Sequence, residues 1–160
     1  QLHRMLGNIH PALQREGRSQ MNGVRPVGGD TMNFWIADFR EELLATIREW
    51  DFLLINDSEA RMLSGETNMR RAAHKILAMG PNTVVIKRGE YGAMLFRKDD
   101  YFIEPGYLLK EVFDPTGAGA FFAGGLCGYL AENQIDRATG HIDRLAYSTA
   151  VIDGSATEGT

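Results

Sequence analysis

Two short runs, Phe52–Ile55 (Phe-Leu-Leu-Ile) and Thr83–Ile86 (Thr-Val-Val-Ile), constrain the fold of this chain more than any other feature. Neither carries a charge and neither alternates, so neither leaves a face for water. Such runs belong to strands buried on both sides, as in a parallel sheet covered by helices. Between them, Met69–Met79 puts Ala72, Ala73, Ile76 and Leu77 on one helical face, and Gly80-Pro81-Asn82 stops the helix. Upstream, Leu43, Leu44 and Ile47 give Arg40–Trp50 the same amphipathic spacing. A strand is expected over Val24–Val27, either at an edge or short because of Pro26. The polar stretch Ser19–Gly23 would join it to an N-terminal helical turn. Downstream, Gly89-Glu90-Tyr91-Gly92 turns the chain into Ala93–Phe96, and Lys98-Asp99-Asp100 turns it again into Tyr101–Ile103. Gly117–Ala131 and His141–Ile152 read as helices. The alternation predicts a layered α/β domain with a mainly parallel sheet. Ligands of such sheets bind beyond the C-terminal strand ends, here the loops after Ile55, Ile86 and Phe113.

Composition excludes several classes. The chain has 160 residues, 44% hydrophobic and 24% charged, which suits one domain with one core. Its net charge is −4, and Lys and Arg form only short clusters such as Lys87-Arg88 and Arg70-Arg71. A nucleic-acid partner needs a basic stripe, so none is expected. A phosphate-bearing ligand must then be held by local backbone and helix ends. The longest apolar stretches, Phe52–Ile55 and Ala120–Leu126, are too short to cross a bilayer, and no membrane role is expected. The single cysteine, Cys127, excludes an internal disulfide framework and suits a reducing cytoplasm. His3, His10, His74 and His141 show no metal-ligand spacing. The chain opens at Gln1 without an initiator Met, as a fragment, a processed chain or a misassigned start would.

The segment richest in chemistry is Asp114-Pro115-Thr116-Gly117-Ala118-Gly119-Ala120-Phe121-Phe122-Ala123-Gly124-Gly125. Small residues there accompany a loop into a helix, whose first amides lack internal partners and carry the positive end of the dipole. Glycines let an oxyanion approach the backbone closely. Local chemistry admits a phosphoryl site and a plain glycine-rich helix start equally. Two other glycine motifs fail on named residues. A G-x-x-x-x-G-K loop lacks its Lys, and a dinucleotide G-x-G-x-x-G meets Phe122 where Gly or Ala is required.

The segment resembles the C-terminal signature of the ribokinase-like (PfkB) carbohydrate and nucleoside kinases, D-x-T-G-A-G-D-x-F-x-x-G. One position departs: the second Asp of that pattern is Ala120. Leu53–Ala60 resembles the family's strand followed by N-x-x-E, and Val84–Ala93 its strand and G-x-x-G turn. Leu6–Ile9 and Asp30–Asn33 are similar more weakly. The order holds from about residue 1 to residue 131.

The resemblance implies a layered α/β/α, ribokinase-like fold that is incomplete here. Residues 1–160 would be the C-terminal nucleotide-binding part, with the N-terminal substrate and lid half absent. It implies ATP-dependent phosphotransfer to a hydroxyl of a sugar or nucleoside, with Mg²⁺ and a monovalent cation such as K⁺. A homodimer would be compatible. By the same resemblance, Gly117, Ala118 and Gly119 form an anion hole for the transferring phosphate. Ala120 stands where the family's Asp accepts the proton of the attacking hydroxyl, and it cannot titrate. Asn56 and Glu59 resemble a phosphate- and Mg²⁺-positioning pair acting through water, although Asn followed three residues later by Glu is also an ordinary capping box. Asp114 resembles the monovalent-cation ligand. Lys87, Gly89 and Gly92 resemble the adenine-side wall, and Asp30 and Asn33 the phosphate side. Two further readings stand beside this one: a non-catalytic nucleotide-binding remnant, favoured by Ala120, and a distant alternative, a dinucleotide-binding oxidoreductase.

Overall fold

A computed structural model describes residues 4–6, 10–20, 27–30 and 33–105. Its strands are β1 (Arg4–Leu6), β2 (Val27–Asp30), β3 (Phe52–Asn56), β4 (Thr83–Lys87), β5 (Ala93–Phe96) and β6 (Tyr101–Glu104). They form one sheet in the order β1-β2-β3-β4-β5-β6. The first four run parallel. β5 and β6 fold back as antiparallel strands. The helices are α1 (Pro11–Ser19), α2 (Asn33–Asp38), α3 (Arg40–Ile47), α4 (Asp57–Ser64) and α5 (Met69–Leu77).

Sequential parallel strands joined by right-handed crossovers place their helices on one face of the sheet. One cluster accordingly joins Val27, Leu53, Ile55, Val84, Ile86 and Phe96 of the sheet to Ile36, Leu43, Ile47, Ala60, Leu63, Ala73 and Ile76 of the helices. The alternate positions Phe52, Leu54, Val85 and Leu95 are buried as well. Burial of both faces is why the two runs contain no polar alternation.

Asp51 sets the starting line of three strands. Its amide donates to Val27 O at 2.6 Å, and its carbonyl accepts from Asn82 N and Thr83 N at 2.9 and 3.1 Å. Its buried carboxylate Oδ2 accepts from Val27 N at 2.8 Å. Thr46 Oγ1 donates to Pro11 O at 3.0 Å and ties α3 to α1.

The strand expected over Val24–Val27 is observed over Val27–Asp30, beginning where it was expected to end. Two consecutive glycines masked it. Gly28 is needed because a β-carbon there would meet the Phe52 ring at 2.5 Å. β1 and α2 were not anticipated, and the N-terminal helical turn is a nine-residue helix opened by Pro11. The helices expected over Gly117–Ala131 and His141–Ile152 lie outside the described residues.

Candidate functional site

Three parallel strands end side by side, and their last residues are Asp30, Asn56 and Lys87. Asp30 lies beside Leu54, two residues before Asn56. Asn56 is in direct register with Lys87. This carboxyl edge is where open α/β sheets receive their ligands.

Asn56 leaves β3 with an extended backbone and caps α4. Glu59 N donates to Asn56 Oδ1 at 2.7 Å, and Asn56 N donates to Glu59 Oε2 at 3.1 Å. The predicted pair is therefore a pair, and these bonds are those of a capping box. Glu59 is buried, only 7% exposed, and Asn56 is half-buried. A carboxylate offers about four lone-pair positions and can accept several bonds at once. Mg²⁺ keeps several waters and takes one or two carboxylates together with substrate phosphates. The Glu59 carboxylate at this helix start fits that requirement through water.

β4 passes into β5 through a tight turn, a single 3₁₀ turn over Gly89–Tyr91. Arg88 N donates to Gly92 O at 2.8 Å, Tyr91 N to Arg88 O at 3.1 Å and Gly92 N to Gly89 O at 3.1 Å. Gly89 has φ 55° and Gly92 has φ 91°, both in the positive region that glycine tolerates and other residues resist. The turn brings Ala93 back beside Lys87. The half-buried Lys87 thus stands between Asn56 on one side and the returning strand on the other, a cation at the end of a central strand. Arg88 and Tyr91 had no assigned role from sequence. The Arg88 guanidinium lies 5.9 Å from the centre of the Tyr91 ring, which is 65% exposed. An aromatic set between two turn glycines was the available signal for that contact.

The structure thus brings together Asn56, Glu59, Lys87, Gly89 and Gly92 at one edge. Asp30 ends β2 at that edge, and Asn33 opens α2 just beyond it. Asp114, Gly117, Ala118, Gly119 and Ala120 lie outside the described residues. Among the described residues, no group of three or more His, Cys, Asp or Glu side chains could hold a metal ion without other ligands. No helix among them is long and apolar enough to cross a membrane.

Comparison with known proteins adds four findings. The family model described as pfkB family carbohydrate kinase matches residues 17–142. A cytidine kinase of Thermococcus kodakarensis is 37% identical over 94 residues, covering 56% of this chain and 33% of that protein. Fructokinase-2 of Zea mays is 32% identical over 95 residues, covering 59% of this chain and 28% of that protein. Among solved structures, ribokinase of Thermotoga maritima superposes with a TM-score of 0.72 at 26% identity, covering 97% of this chain and 48% of that one. The chain therefore spans a third or less of these curated relatives and about half of the solved one.

Proposed function

Because this chain belongs to the pfkB family of carbohydrate kinases, we propose that it is the nucleotide-binding part of an ATP-dependent kinase acting on a hydroxyl of a sugar or nucleoside. The observation that carries the reading is the register of Asn56 beside Lys87 at the carboxyl edge, flanked by the Gly89–Gly92 turn. A polyphosphate needs a cation, unpaired donors and close backbone approach, and this edge supplies the first and the last. Relatives named for cytidine and for fructose span nucleoside and sugar acceptors, and the reading keeps both classes.

In this reading, Lys87 offsets phosphate charge and the Gly89–Gly92 turn walls the adenine side. Glu59 would hold Mg²⁺ through water while Asn56 aligns the same helix start. When bound, the ion would neutralise charge developing on the transferring phosphate. Gly117, Ala118 and Gly119 would supply the anion hole that their motif implies, Asp114 would hold a monovalent cation such as K⁺, and Asp30 and Asn33 would border the phosphates. The protein works in the cytoplasm, as its single cysteine suggests. Ala120 cannot accept the acceptor hydroxyl's proton, and losing a general base lowers rates by about 10²–10⁴. Nucleotide binding is then expected to outlast turnover.

The test places the chain and its Ala120→Asp form in a full-length context and measures ATP–Mg²⁺ binding and phosphotransfer to a panel of sugars and nucleosides. Both forms are expected to bind, with turnover from the Asp form alone. Binding by both without turnover by either favours the non-catalytic remnant. If neither binds ATP–Mg²⁺ the proposal fails, and binding of NAD instead selects the oxidoreductase.

A further inference from the structure

Away from the strand ends, α5 and the loop before it frame a shallow, open cleft of about 440 Å³ lined by Glu66, Asn68, Arg70, Arg71, His74 and Lys75, all exposed except the half-buried Glu66. The chain carries a net charge of −4, yet three permanent cations and an imidazole meet a single carboxylate here. Folding alone does not favour this arrangement. Asn68 caps α5 by accepting from Arg71 N at 3.1 Å, so Arg70 and Arg71 occupy the first turn, which contains no acid. The positive end of the helix dipole repels cations at that turn. Arg71 and Lys75 are four residues apart, a spacing at which like charges destabilise a helix. A face selected for solubility alone would alternate signs at this spacing.

The compensation present is partial. Lys75 Nζ lies 2.8 Å from Glu66 Oε1. Its hydrogen bond, then its charge, hold the Glu66 carboxyl below the usual carboxylate range, with Arg71 adding to the effect. The Arg70 guanidinium sits 5.4 Å from the centre of the Tyr101 ring. Arg71 and His74 have no ion-pair partner among the described residues. Where local rules are broken with only partial compensation, function is a common reason.

We infer that this cleft binds a small phosphate dianion, either free or as a phosphomonoester. Arg71 supplies a planar fork matched to phosphate oxygens. Arg70 from the same turn and His74 from the next also line it, and the Asn68 carboxamide adds a neutral donor while its oxygen keeps the cap. The cleft lies on α5, whereas the nucleotide edge is built from β2, β3, β4 and the start of α4, so this second anion site stands apart from the proposed kinase function.

Inorganic phosphate, ribose 5-phosphate and uncharged ribose, each titrated at low and high salt, are the probes. Thermal unfolding and amide chemical shifts are the readouts. Both phosphates are expected to stabilise the protein and shift α5 amides, less so at high salt, while ribose does neither. A preference for ribose 5-phosphate identifies an ester, and equal responses identify phosphate itself. The double substitution Arg71→Gln/His74→Gln is expected to weaken the response at least tenfold. Without ligand at low salt, that variant unfolds no earlier than its parent, because repulsion has been relieved. Arg71→Lys keeps the charge without the fork and retains an intermediate response. The inference is overturned if the double variant responds like its parent, or if the parent shows no α5 response to either phosphate. Tighter binding of a single-stranded oligonucleotide than of either phosphate also overturns it, assigning the cleft to nucleic acid.

Discussion

Replacing Asn56 by alanine and by aspartate separates two roles carried by one side chain. Asn56→Ala removes the acceptor that Glu59 N reaches at 2.7 Å. Losing an Asn cap costs about 1 kcal/mol, within a range of about 0.5–2. The reciprocal bond, from Asn56 N to Glu59 Oε2 at 3.1 Å, uses the backbone and survives either change. Asn56→Asp keeps an oxygen in place, and Asp caps about as well as Asn. Its new charge meets the positive end of α4, offset by Asp57 and Glu59 in the same turn. Urea unfolding is therefore expected to move by less than about 0.5 kcal/mol. Ligand binding should respond differently. A negative charge about 4 Å from a phosphate costs about 1 kcal/mol in water and about 4 kcal/mol at an effective dielectric of 20. At 1.4 kcal/mol per tenfold, ATP affinity falls by about fivefold to several hundredfold. The assay is calorimetric titration of ATP in EDTA, so that no metal bridges the new carboxylate, run beside urea unfolding. If Asn56→Asp binds ATP like its parent while Asn56→Ala loses only stability, Asn56 is a cap and the site reasoning fails.

Four further outcomes are expected. Gly28→Ala forces a methyl into the buried Phe52 ring, 2.5 Å away, and lowers the stability measured in urea by about 1–3 kcal/mol. Asp51→Ala orphans the buried Val27 N–H, at a cost of about 2–3 kcal/mol, whereas Asp51→Asn retains an acceptor and recovers most of it. Thr83→Val raises stability by about 1 kcal/mol, because Thr83 is fully buried and its hydroxyl has no partner among the described residues. Glu66→Gln is less stable than its parent at neutral pH and equal to it in acid. The Glu66 carboxyl is held low by Lys75, so its contribution is present above the ordinary glutamate range and lost as the pH falls through the lowered value. Thermal unfolding across pH at low salt checks this, and a difference that persists in acid would refute it.

The central sheet was readable because burial on both faces leaves a compositional mark. Phe52–Ile55 and Thr83–Ile86 had to be free of charge at every position, and both appear as strands extended by one residue, Asn56 and Lys87. The helix over Met69–Met79 was equally visible, since its inner face repeats at helical spacing, although it stops at Leu77. β2 was misplaced for a reason of the same kind. Its interior is Gly28-Gly29, whose side chains leave no pattern, and the need for glycine lies in a ring on the neighbouring strand, at Phe52. Packing across strands is what a one-dimensional pattern omits. β1 is three residues long and contributes too little periodicity to separate it from a loop.

The site divides along the same line. Asn56 and Glu59 were legible as a pair because the capping box is local, closing within four residues. That locality is also why the motif alone could not say more, since any helix start can use the same atoms in the same bonds. What distinguishes this cap is where it stands: at the last residue of a buried parallel strand, in register with a lysine that ends the next strand, beside a turn requiring two positive-φ glycines. None of those relations is a property of the segment around Asn56. They arise when the crossover through α4 and α5 returns the chain to begin β4 alongside β3. The register that Asp51 fixes at the opposite end of the strands then carries Lys87 up to Asn56. The chemistry of this edge is thus set by a buried aspartate that touches none of it. A substitution at Asp51 that keeps the fold but slips β4 by one residue would move Lys87 away from Asn56, and nucleotide affinity would be lost before stability.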